Sequence, residues 1–312
     1  MEFFKQNTQI DFMRLRLIAA IFSLLLFIGS IVSLCVYGLN WGLDFTGGTQ
    51  VQVVYQQAAN LEQIRQQLDN AGLEKFTVQN YGDTRTVLIS LGAQKGSAAE
   101  NEKLLQNQVV KQVMGALPGA NFQAVNFIGS SVSSELAYKG ILAVIVALLG
   151  TMIYIALRFE YRLAVSAAVA LIHDPILILG IFSFFHIQFD LTALAAVLTV
   201  IGYSLNDTIV VFDRVRENFR KMRKGTSVEV VNSAINQTLS RTIMTSGLTL
   251  TVVIVLFLFG GPSIHGFSLA LMIGIVIGTY SSIYVAGAFA VALGLSRKDL
   301  MTSAKRELEE RP

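Results

Sequence analysis

The sequence is poor in charge, in cysteine and in histidine, and each shortage excludes a class of protein. Charged residues make up 14% of the 312 residues and hydrophobic residues 53%, whereas soluble proteins carry about 25% charged residues. The single cysteine, Cys35, allows no internal disulfide. The three histidines are scattered without metal-ligand spacing, so we expect neither a metal nor a cofactor. The composition indicates an integral membrane protein, and the net charge of +3 is too small to indicate a nucleic-acid partner.

Long apolar runs are the main feature that is present. Six of them are long enough to cross a lipid bilayer, at about 17–37, 140–157, 163–185, 191–212, 242–259 and 267–293. The first run is longer than the apolar part of a signal peptide, and no small-residue cleavage site precedes Asn40. We therefore expect it to be an uncleaved span.

The segment 39–138 is polar and has a different periodicity. It predicts strands at 49–55, 76–81, 84–91 and 121–128 and helices at 61–71 and 100–117, with a hairpin signal at Gly82-Asp83. The order β-α-β-β-α-β is typical of a ferredoxin-like domain. It contains no phosphate loop or nucleophile-plus-base pair, so we expect it to make contacts rather than to catalyse a reaction.

The predicted organisation has five parts. They are an amino-terminal segment 1–16, a first transmembrane helix 17–38, the domain 39–138, a five-helix remainder 139–295 that includes a loop at 213–241, and a tail 296–312. Lysine and arginine concentrate in 1–16, 158–162, 213–241 and the tail, and they are absent from the short loops 186–190 and 260–266. The positive-inside rule then predicts cytoplasmic termini and a periplasmic domain. Within the loop, 227–240 has helical apolar spacing, which fits either a helix on the membrane surface or one packed on the bundle.

A carboxylate inside the fourth run is the strongest functional candidate. Placing Asp207 in the hydrocarbon costs on the order of 3 kcal/mol, and such residues usually move ions or protons. Tyr203, Ser204 and Asn206 are polar neighbours, so this turn is expected to face protein or water. The alternatives are a static hydrogen-bond acceptor and a side chain that reaches toward the interface.

Two further polar sites are expected to lie in the bundle. Arg241 opens the fifth run and precedes a hydroxyl stripe formed by Thr242, Thr245, Ser246 and Thr249. Arg241 fits a partner of Asp207 and a positive-inside anchor equally well. In the third run, Pro175 predicts a kink, and Asp174 is either part of a relay or a local acceptor. The spacing of Gly274 and Gly278 predicts close helix packing.

Seven motifs occur in order along the chain and together resemble the SecD/SecF family of bacterial protein-export membrane proteins. They are Trp41-Gly42-Leu43-Asp44-Phe45-Thr46-Gly47-Gly48, Arg158-Phe159-Glu160-Tyr161-Arg162, His173-Asp174-Pro175, the stretch 202–213, Arg214-Val215-Arg216-Glu217-Asn218, Ser240-Arg241-Thr242 and Phe259-Gly260-Gly261. The resemblance implies half of a transporter of the resistance-nodulation-division (RND) type in the bacterial inner membrane.

The same resemblance implies a function. It implies a complex with SecD that uses the proton-motive force to help the SecYEG channel export preproteins, with YajC and YidC as further candidate partners. It places the proton pathway on Asp207 and Arg241, to which Asp174, Asn206, Ser204 and Thr245 are added from their positions. Asp44, Gly47, Gly48, Asp213 and Arg214 are positions of the family motifs.

Other functions remain open from the sequence. A proton-coupled small-solute exporter could use the same bundle, although RND exporters usually carry two large periplasmic insertions and about twelve spans. A purely structural subunit is a third interpretation, which Asp207 argues against. No enzyme activity is expected, and a carboxylate can carry either protons or sodium ions.

Overall fold

The computed structural model describes residues 9–73, 76–92, 102–222 and 225–300. Its helices are α1 (Arg16–Val36), α2 (Leu43–Thr46), α3 (Leu61–Asn70), α4 (Glu102–Ala116), α5 (Ser130–Arg158), α6 (Tyr161–Phe184), α7 (Leu191–Lys221), α8 (Ser227–Phe259), α9 (His265–Tyr280) and α10 (Ala286–Ala292). Its strands are β1 (Asn40–Trp41), β2 (Gly48–Val54), β3 (Phe76–Tyr81), β4 (Asp83–Gly92), β5 (Asn121–Ile128) and β6 (Gln188–Phe189). The basic residues Lys5, Arg223, Lys224 and Lys305 and the predicted helix start at 100 lie outside the described residues.

Six helical segments in the described ranges are long and apolar enough to cross a membrane, which confirms the predicted number of spans. They are α1 with a preceding short turn, α5, α6, α7, α8 and the pair α9–α10. The central helices α6 and α7 are mostly buried, whereas α1, α5 and α8 expose large apolar side chains such as Leu25, Leu149 and Leu258. Exposed side chains of this kind suit contact with lipid or with a neighbouring membrane helix.

The predicted loop 213–241 is mostly helical, and this is a correction. The fourth span continues to Lys221, and α8 runs without a break from Ser227 to Phe259. Thr226 and Glu229 form a capping box that starts α8, and no proline follows to stop it before Phe259. With 33 residues, α8 is about 50 Å long and exceeds the hydrocarbon thickness of about 30 Å.

The amphipathic segment 227–240 packs on the bundle instead of lying apart from it. Its buried residues Val231, Ile235 and Leu239 belong to the same apolar core as Phe212 of α7. Asn236 donates from its Nδ2 to the backbone oxygen of Ile10 at 2.7 Å, which fastens the start of the described chain to α8. This packing confirms the interpretation of the segment as a helix on the bundle and is compatible with a position at the membrane surface.

The polar domain has the predicted ferredoxin-like topology. Its four strands are antiparallel in the order β3-β4-β2-β5, and α3 and α4 contribute Ile64, Leu68, Val109 and Val113 to its core. The hairpin between β3 and β4 turns at Gly82, which has a positive φ of 82°. The adjoining Asp83 accepts from the backbone N–H of Arg85 and Thr86. A hydrogen bond from the Thr86 side chain, together with these two, holds the pKa of Asp83 below its usual range.

The domain ends earlier than the predicted boundary at 138. β5 ends at Ile128, and α5 begins at Ser130, so the residues 130–138 already belong to the second span. A helix start at Gly129 is hard to recognise because the polar residues Ser130, Ser133 and Glu135 conceal the transmembrane character of α5. The domain is thus joined to the bundle by a helix with almost no linker.

The sixth span is not one regular helix. Ser281–Val285 form a π-helical turn between α9 and α10, and such turns are frequent at functional sites. Close packing accompanies this span, as the spacing of its glycines predicted. A Cβ on Gly274 would lie 2.2 Å from Val200 Cγ2, and one on Gly278 would lie 3.0 Å from Ser204 Cβ. Helices α9 and α7 therefore meet at their backbones.

Candidate functional site

Asp207 lies on the inner face of α7. The residues Ser204, Asp207, Thr208 and Val211 recur at helical spacing and are all at most 4% exposed, so this face packs against the other helices rather than against lipid. The Asp207 side chain has one hydrogen bond among the described residues, a long one of 3.5 Å from Ser246 Oγ on α8. A buried carboxylate with so few donors is poorly compensated as an anion.

Hydroxyl groups from three helices meet beside Asp207. Ser246 Oγ lies 2.8 Å from Thr279 Oγ1 on α9, and Tyr203 on α7 donates its hydroxyl to Ser246 Oγ at 3.3 Å. Ser246 is the member of the predicted hydroxyl stripe that reaches Asp207, whereas Thr245 donates to backbone oxygens of its own helix. The structure thus brings Ser246 into the site and leaves Thr245 on the exposed side of α8.

Arg241 lies near Asp207 without forming an ion pair with it. No ion pair of the described chain joins Arg241 to Asp207. Arg241 precedes Ser246, whose Oγ reaches Asp207, by five residues of α8, about 7.5 Å along the helix axis. Its side chain is exposed on α8. Of the two interpretations of Arg241, the structure shows proximity to Asp207 but not direct pairing.

Asn206 is not brought to Asp207. Asn206 lies on a different face of α7 from Asp207 and is exposed, as is Gly202 one turn earlier. The sequence places both residues beside Asp207, but successive residues of a helix point about 100° apart. Asn206, Thr245 and Arg241 all lie on exposed helix faces, so they belong to the surface of the chain rather than to its interior.

Asp174 lies in a polar cluster of its own, formed by side chains from three helical segments. It is 1% exposed. Its Oδ2 accepts from Ser204 Oγ on α7 at 2.5 Å and from Ser281 Oγ in the π-helical turn at 2.7 Å, and its Oδ1 lies 2.9 Å from His173 Nδ1. Ser204, which the sequence suggests as a neighbour of Asp207, therefore binds Asp174 instead.

The motif around Asp44 connects the ferredoxin-like domain to α7. Asp44 Oδ2 accepts from the backbone N–H of Leu191, the first residue of α7, at 2.9 Å. β1 pairs in parallel with β6 in the loop before α7, and Gly42 N donates to Phe189 O. Gly47 has a φ of +66°, and a Cβ there would lie 2.9 Å from Ser133 Oγ. Gly48, with a φ of +123°, is the first residue of β2. Both glycines therefore adopt positive φ values that residues with a Cβ rarely adopt.

Asp213 and Arg214 lie in a charged network at the opposite end of α7. Asp213 Oδ2 pairs with Arg158 at 2.8 Å, and Arg214 pairs with Glu217 at 2.7 Å. A less exposed pair, Arg216 with Glu160 at 3.0 Å, lies beside them and was not singled out from the sequence. The signal for it is weak, because the two residues are far apart in the chain and each stands among other charges.

No group of three or more histidine, cysteine, aspartate or glutamate residues in the described ranges is arranged to hold a metal ion. The carboxylates, hydroxyls and imidazole of the bundle can accept and donate protons, whereas the guanidinium of Arg241 stays charged and acts only as a donor and a positive charge. The two buried carboxylates differ in kind. Asp174 accepts from two hydroxyls at short range and shares a third hydrogen bond with His173 Nδ1, whereas Asp207 accepts from one hydroxyl at long range.

A six-span bundle with a single ferredoxin-like domain and a carboxylate inside its fourth span defines the class of this protein as half of an RND-type membrane transporter. The sequence profile described as "Protein export membrane protein SecD/SecF, C-terminal" matches residues 108–296, and that of the "SecD/SecF GG Motif" matches 32–59. The chain belongs to the SecD/SecF family, which confirms the resemblance of its motifs, and it is a multi-pass protein of the inner membrane.

The most similar curated relatives extend over nearly the whole chain. It is 49% identical over 298 residues to the "Protein translocase subunit SecF" of Vibrio alginolyticus, covering 95% of this chain and 94% of the relative. It is 46% identical over 292 residues to the protein of the same description from Escherichia coli O157:H7, covering 93% and 90%.

Two solved structures share the fold. The crystal structure of SecDF from Thermus thermophilus is 32% identical with a TM-score of 0.83, and the match covers 94% of this chain. SecDF in the "Super-membrane-facing form" is 30% identical with a TM-score of 0.65, covering 97% of this chain. This chain spans 40% of the length of each SecDF chain.

Proposed function

We propose that this chain is the SecF subunit of a SecD–SecF complex and that it uses the proton-motive force to assist export of preproteins through SecYEG. Family membership supports the export role. The observation that supports proton coupling is the environment of Asp207, which is 4% exposed and has one long hydrogen bond in the described chain. Such a carboxylate is costly as an anion and stable as a neutral acid, so it is suited to take up and release a proton.

Arg241 supplies the means of release in this proposal. A positive charge that approaches a carboxylate favours the charged form, and a charge that withdraws favours the protonated form. Arg241 lies on α8 five residues before Ser246, the donor to Asp207, and forms no ion pair with Asp207 in the described chain, so its long side chain can shorten or lengthen their separation. A change in helix position that moves α8 against α7 would therefore load or unload Asp207, and each charge that crosses 100 mV carries about 2.3 kcal/mol.

The exposed face that carries Gly202, Asn206 and Thr245 is the proposed contact with SecD. Polar side chains on a lipid-facing surface are costly and rare, whereas small and polar residues are typical of contacts between membrane helices. All three residues are exposed at the level of Asp207. A partner helix on this face would also enclose the Arg241 side chain, so the SecD half would complete the site.

The proposed orientation places both termini and the carboxyl-terminal ends of α5, α7 and α10 in the cytoplasm. The Arg158–Asp213 and Arg216–Glu160 pairs lie at that end, and the excess of basic residues there supports the assignment. The ferredoxin-like domain then lies in the periplasm, where we propose that it contacts the emerging preprotein. SecYEG, YajC and YidC are the proposed neighbours of the complex.

Inverted membrane vesicles that contain this chain with its SecD partner provide the test. Asp207→Asn should assemble normally and lose the gradient-dependent part of preprotein translocation, because Asn is nearly isosteric but cannot release a proton. Asp83→Asn, which changes an exposed hairpin carboxylate, is the matched control and should behave as wild type. A sodium gradient applied without a proton gradient identifies the ion. Undiminished gradient-driven export by Asp207→Asn would overturn the proposal.

A further inference from the structure

His173 is a buried titratable residue that has no part in the proposed exchange between Asp207 and Arg241. Its ring is 5% exposed, and both ring nitrogens are engaged, since Nδ1 lies 2.9 Å from Asp174 Oδ1 and Nε2 lies 2.7 Å from Ser23 Oγ on α1. Phe27 stacks on the ring with an interplanar angle of 9°. An imidazole held between a carboxylate and a hydroxyl can accept a proton at one nitrogen while it gives one up at the other.

The far side of Ser23 opens into a groove. A cavity of about 640 Å³ lies between α1, α6 and α10. Most of its wall is apolar, and its polar members are Arg16, Ser23, His173 and Tyr284. Arg16 is the first residue of α1, so it lies about 10 Å from Ser23 along the helix axis. The groove therefore extends from the polar start of α1, at the edge of the hydrocarbon, to the His173 ring.

A continuous path of exchangeable groups thus joins this groove to α7. It runs from Ser23 to His173, to Asp174 and then to Ser204 Oγ. Ser204 lies one turn before Asp207 on the same helix. The other titratable or charged side chains in the wall of the groove are Arg16 and Tyr284, and Tyr280 faces Ala19, to whose oxygen its hydroxyl donates at 2.8 Å.

We propose that His173 and Ser23 form a proton exit that connects the buried carboxylate Asp174 to the groove opening at Arg16. This inference rests on the proposed function, since it extends the proton pathway of the bundle by a second carboxylate and a side exit. Protonated Asp174 gives its proton to His173 Nδ1, and Nε2 gives its proton to Ser23 Oγ and through it to the groove. The pair has then passed on one proton. The first tautomer returns when the ring turns Nδ1 toward the groove, Nδ1 gives its proton to groove water and Nε2 takes one up, an exchange with no net transfer.

Proton uptake into right-side-out vesicles, driven by an imposed gradient and measured with a pH-sensitive dye, tests this exit. His173→Gln retains hydrogen-bonding groups but cannot relay a proton, and it should lower the uptake that depends on this complex at least tenfold. His186→Asn is the matched control, because His186 is an exposed loop residue outside the bundle, and it should behave as wild type.

Chemical rescue separates a relay from a merely structural role. His173→Ala enlarges the groove, and added imidazole should restore part of the lost uptake. Pyrazole, which has the same size but titrates far below neutral pH, should not. Loss of uptake that imidazole fails to restore, or that pyrazole restores equally, would assign His173 to structure and overturn the inference.

The same vesicles distinguish this inference from the proposed function. If Asp207→Asn loses gradient-driven uptake while His173→Gln retains it, only the side exit is wrong. If Asp207→Asn retains uptake, the proposed function itself fails.

Discussion

Gly274 of α9 and Val200 of α7 are in such close contact that a single added carbon at Gly274 would overlap the Val200 side chain, at 2.2 Å from Cγ2. The contact sets the distance between the two helices that carry Ser204, Asp207 and Thr279. It lies within the buried apolar cluster that contains Val197 and Ile275. The position of every polar group on these two helices therefore depends on a residue without a side chain.

Gly274→Ala should destabilise the bundle by about 1–3 kcal/mol, the usual cost of adding a methyl group to a closely packed core. The measurement is the thermal unfolding midpoint of the purified protein in detergent. Gly247→Ala is the matched control, because nothing lies within 4 Å of the Cβ position of Gly247, and its unfolding midpoint should not fall. Equal midpoints for the two variants would show that α7 and α9 are less closely packed than described.

Arg241 should matter through its charge and its reach. Arg241→Lys keeps the charge but loses the planar fork, so it should retain part of the gradient-dependent translocation, whereas Arg241→Met should lose it almost completely. Arg220→Met removes an exposed charge from the last turn of α7 and is the control. If Arg241→Met translocates as well as Arg220→Met, Arg241 is an interface anchor and has no part in proton release.

Asp44 should stabilise the start of α7. Asp44→Ala removes the acceptor for the Leu191 N–H and leaves the N-cap residue Asp190 in place, and a typical hydrogen bond contributes about 0.5–1.5 kcal/mol. Asp44→Asn keeps an oxygen acceptor and should be milder. Thermal unfolding provides the measurement, with the exposed Asp69→Ala on α3 as control. A midpoint for Asp44→Ala as high as that of the control would show that the hydrogen bond to Asp44 does not stabilise α7.

The proposed orientation predicts the location of fused reporters. Alkaline phosphatase, which is active in the periplasm, should be active when fused after Gly92 or Gly261 and inactive after Lys224. A fluorescent protein that folds in the cytoplasm should show the reverse. The expectation follows from the distribution of lysine and arginine among the loops. Activity of the same reporter at both Gly92 and Lys224 would contradict the six-span arrangement.

The sequence predicts the ferredoxin-like domain closely because its signals are local. Alternation of apolar residues marks the strands, and Gly82-Asp83 marks a hairpin whose position does not depend on the rest of the protein. The number of spans follows equally from local hydrophobicity. The end of the domain could not be found in this way, since the change from β5 to α5 takes place within a polar stretch.

The contacts between helices could not be predicted from local sequence signals. Ser204 stands three residues before Asp207, but its partner is Asp174 on the neighbouring helix, and only the rotation and depth of both helices decide this. The continuity of α8 through Arg241 was hidden for a related reason. A charge marks the edge of the hydrocarbon, but it does not end a helix, so the apolar run ended at the interface while the helix continued to Ser227.

The hydrogen bond from Leu191 N–H to Asp44 gives α7 a mechanical role. The helix runs for 31 residues without interruption, so Leu191 and Asp207 lie on one rod about 24 Å apart. Asp44 accepts a hydrogen bond from the first residue of this helix, and the short β1–β6 ladder pairs the chain at the same junction with the ferredoxin-like domain. An axial shift of α7 at the level of Asp207 would therefore be transmitted along the helix to its contacts with the ferredoxin-like domain.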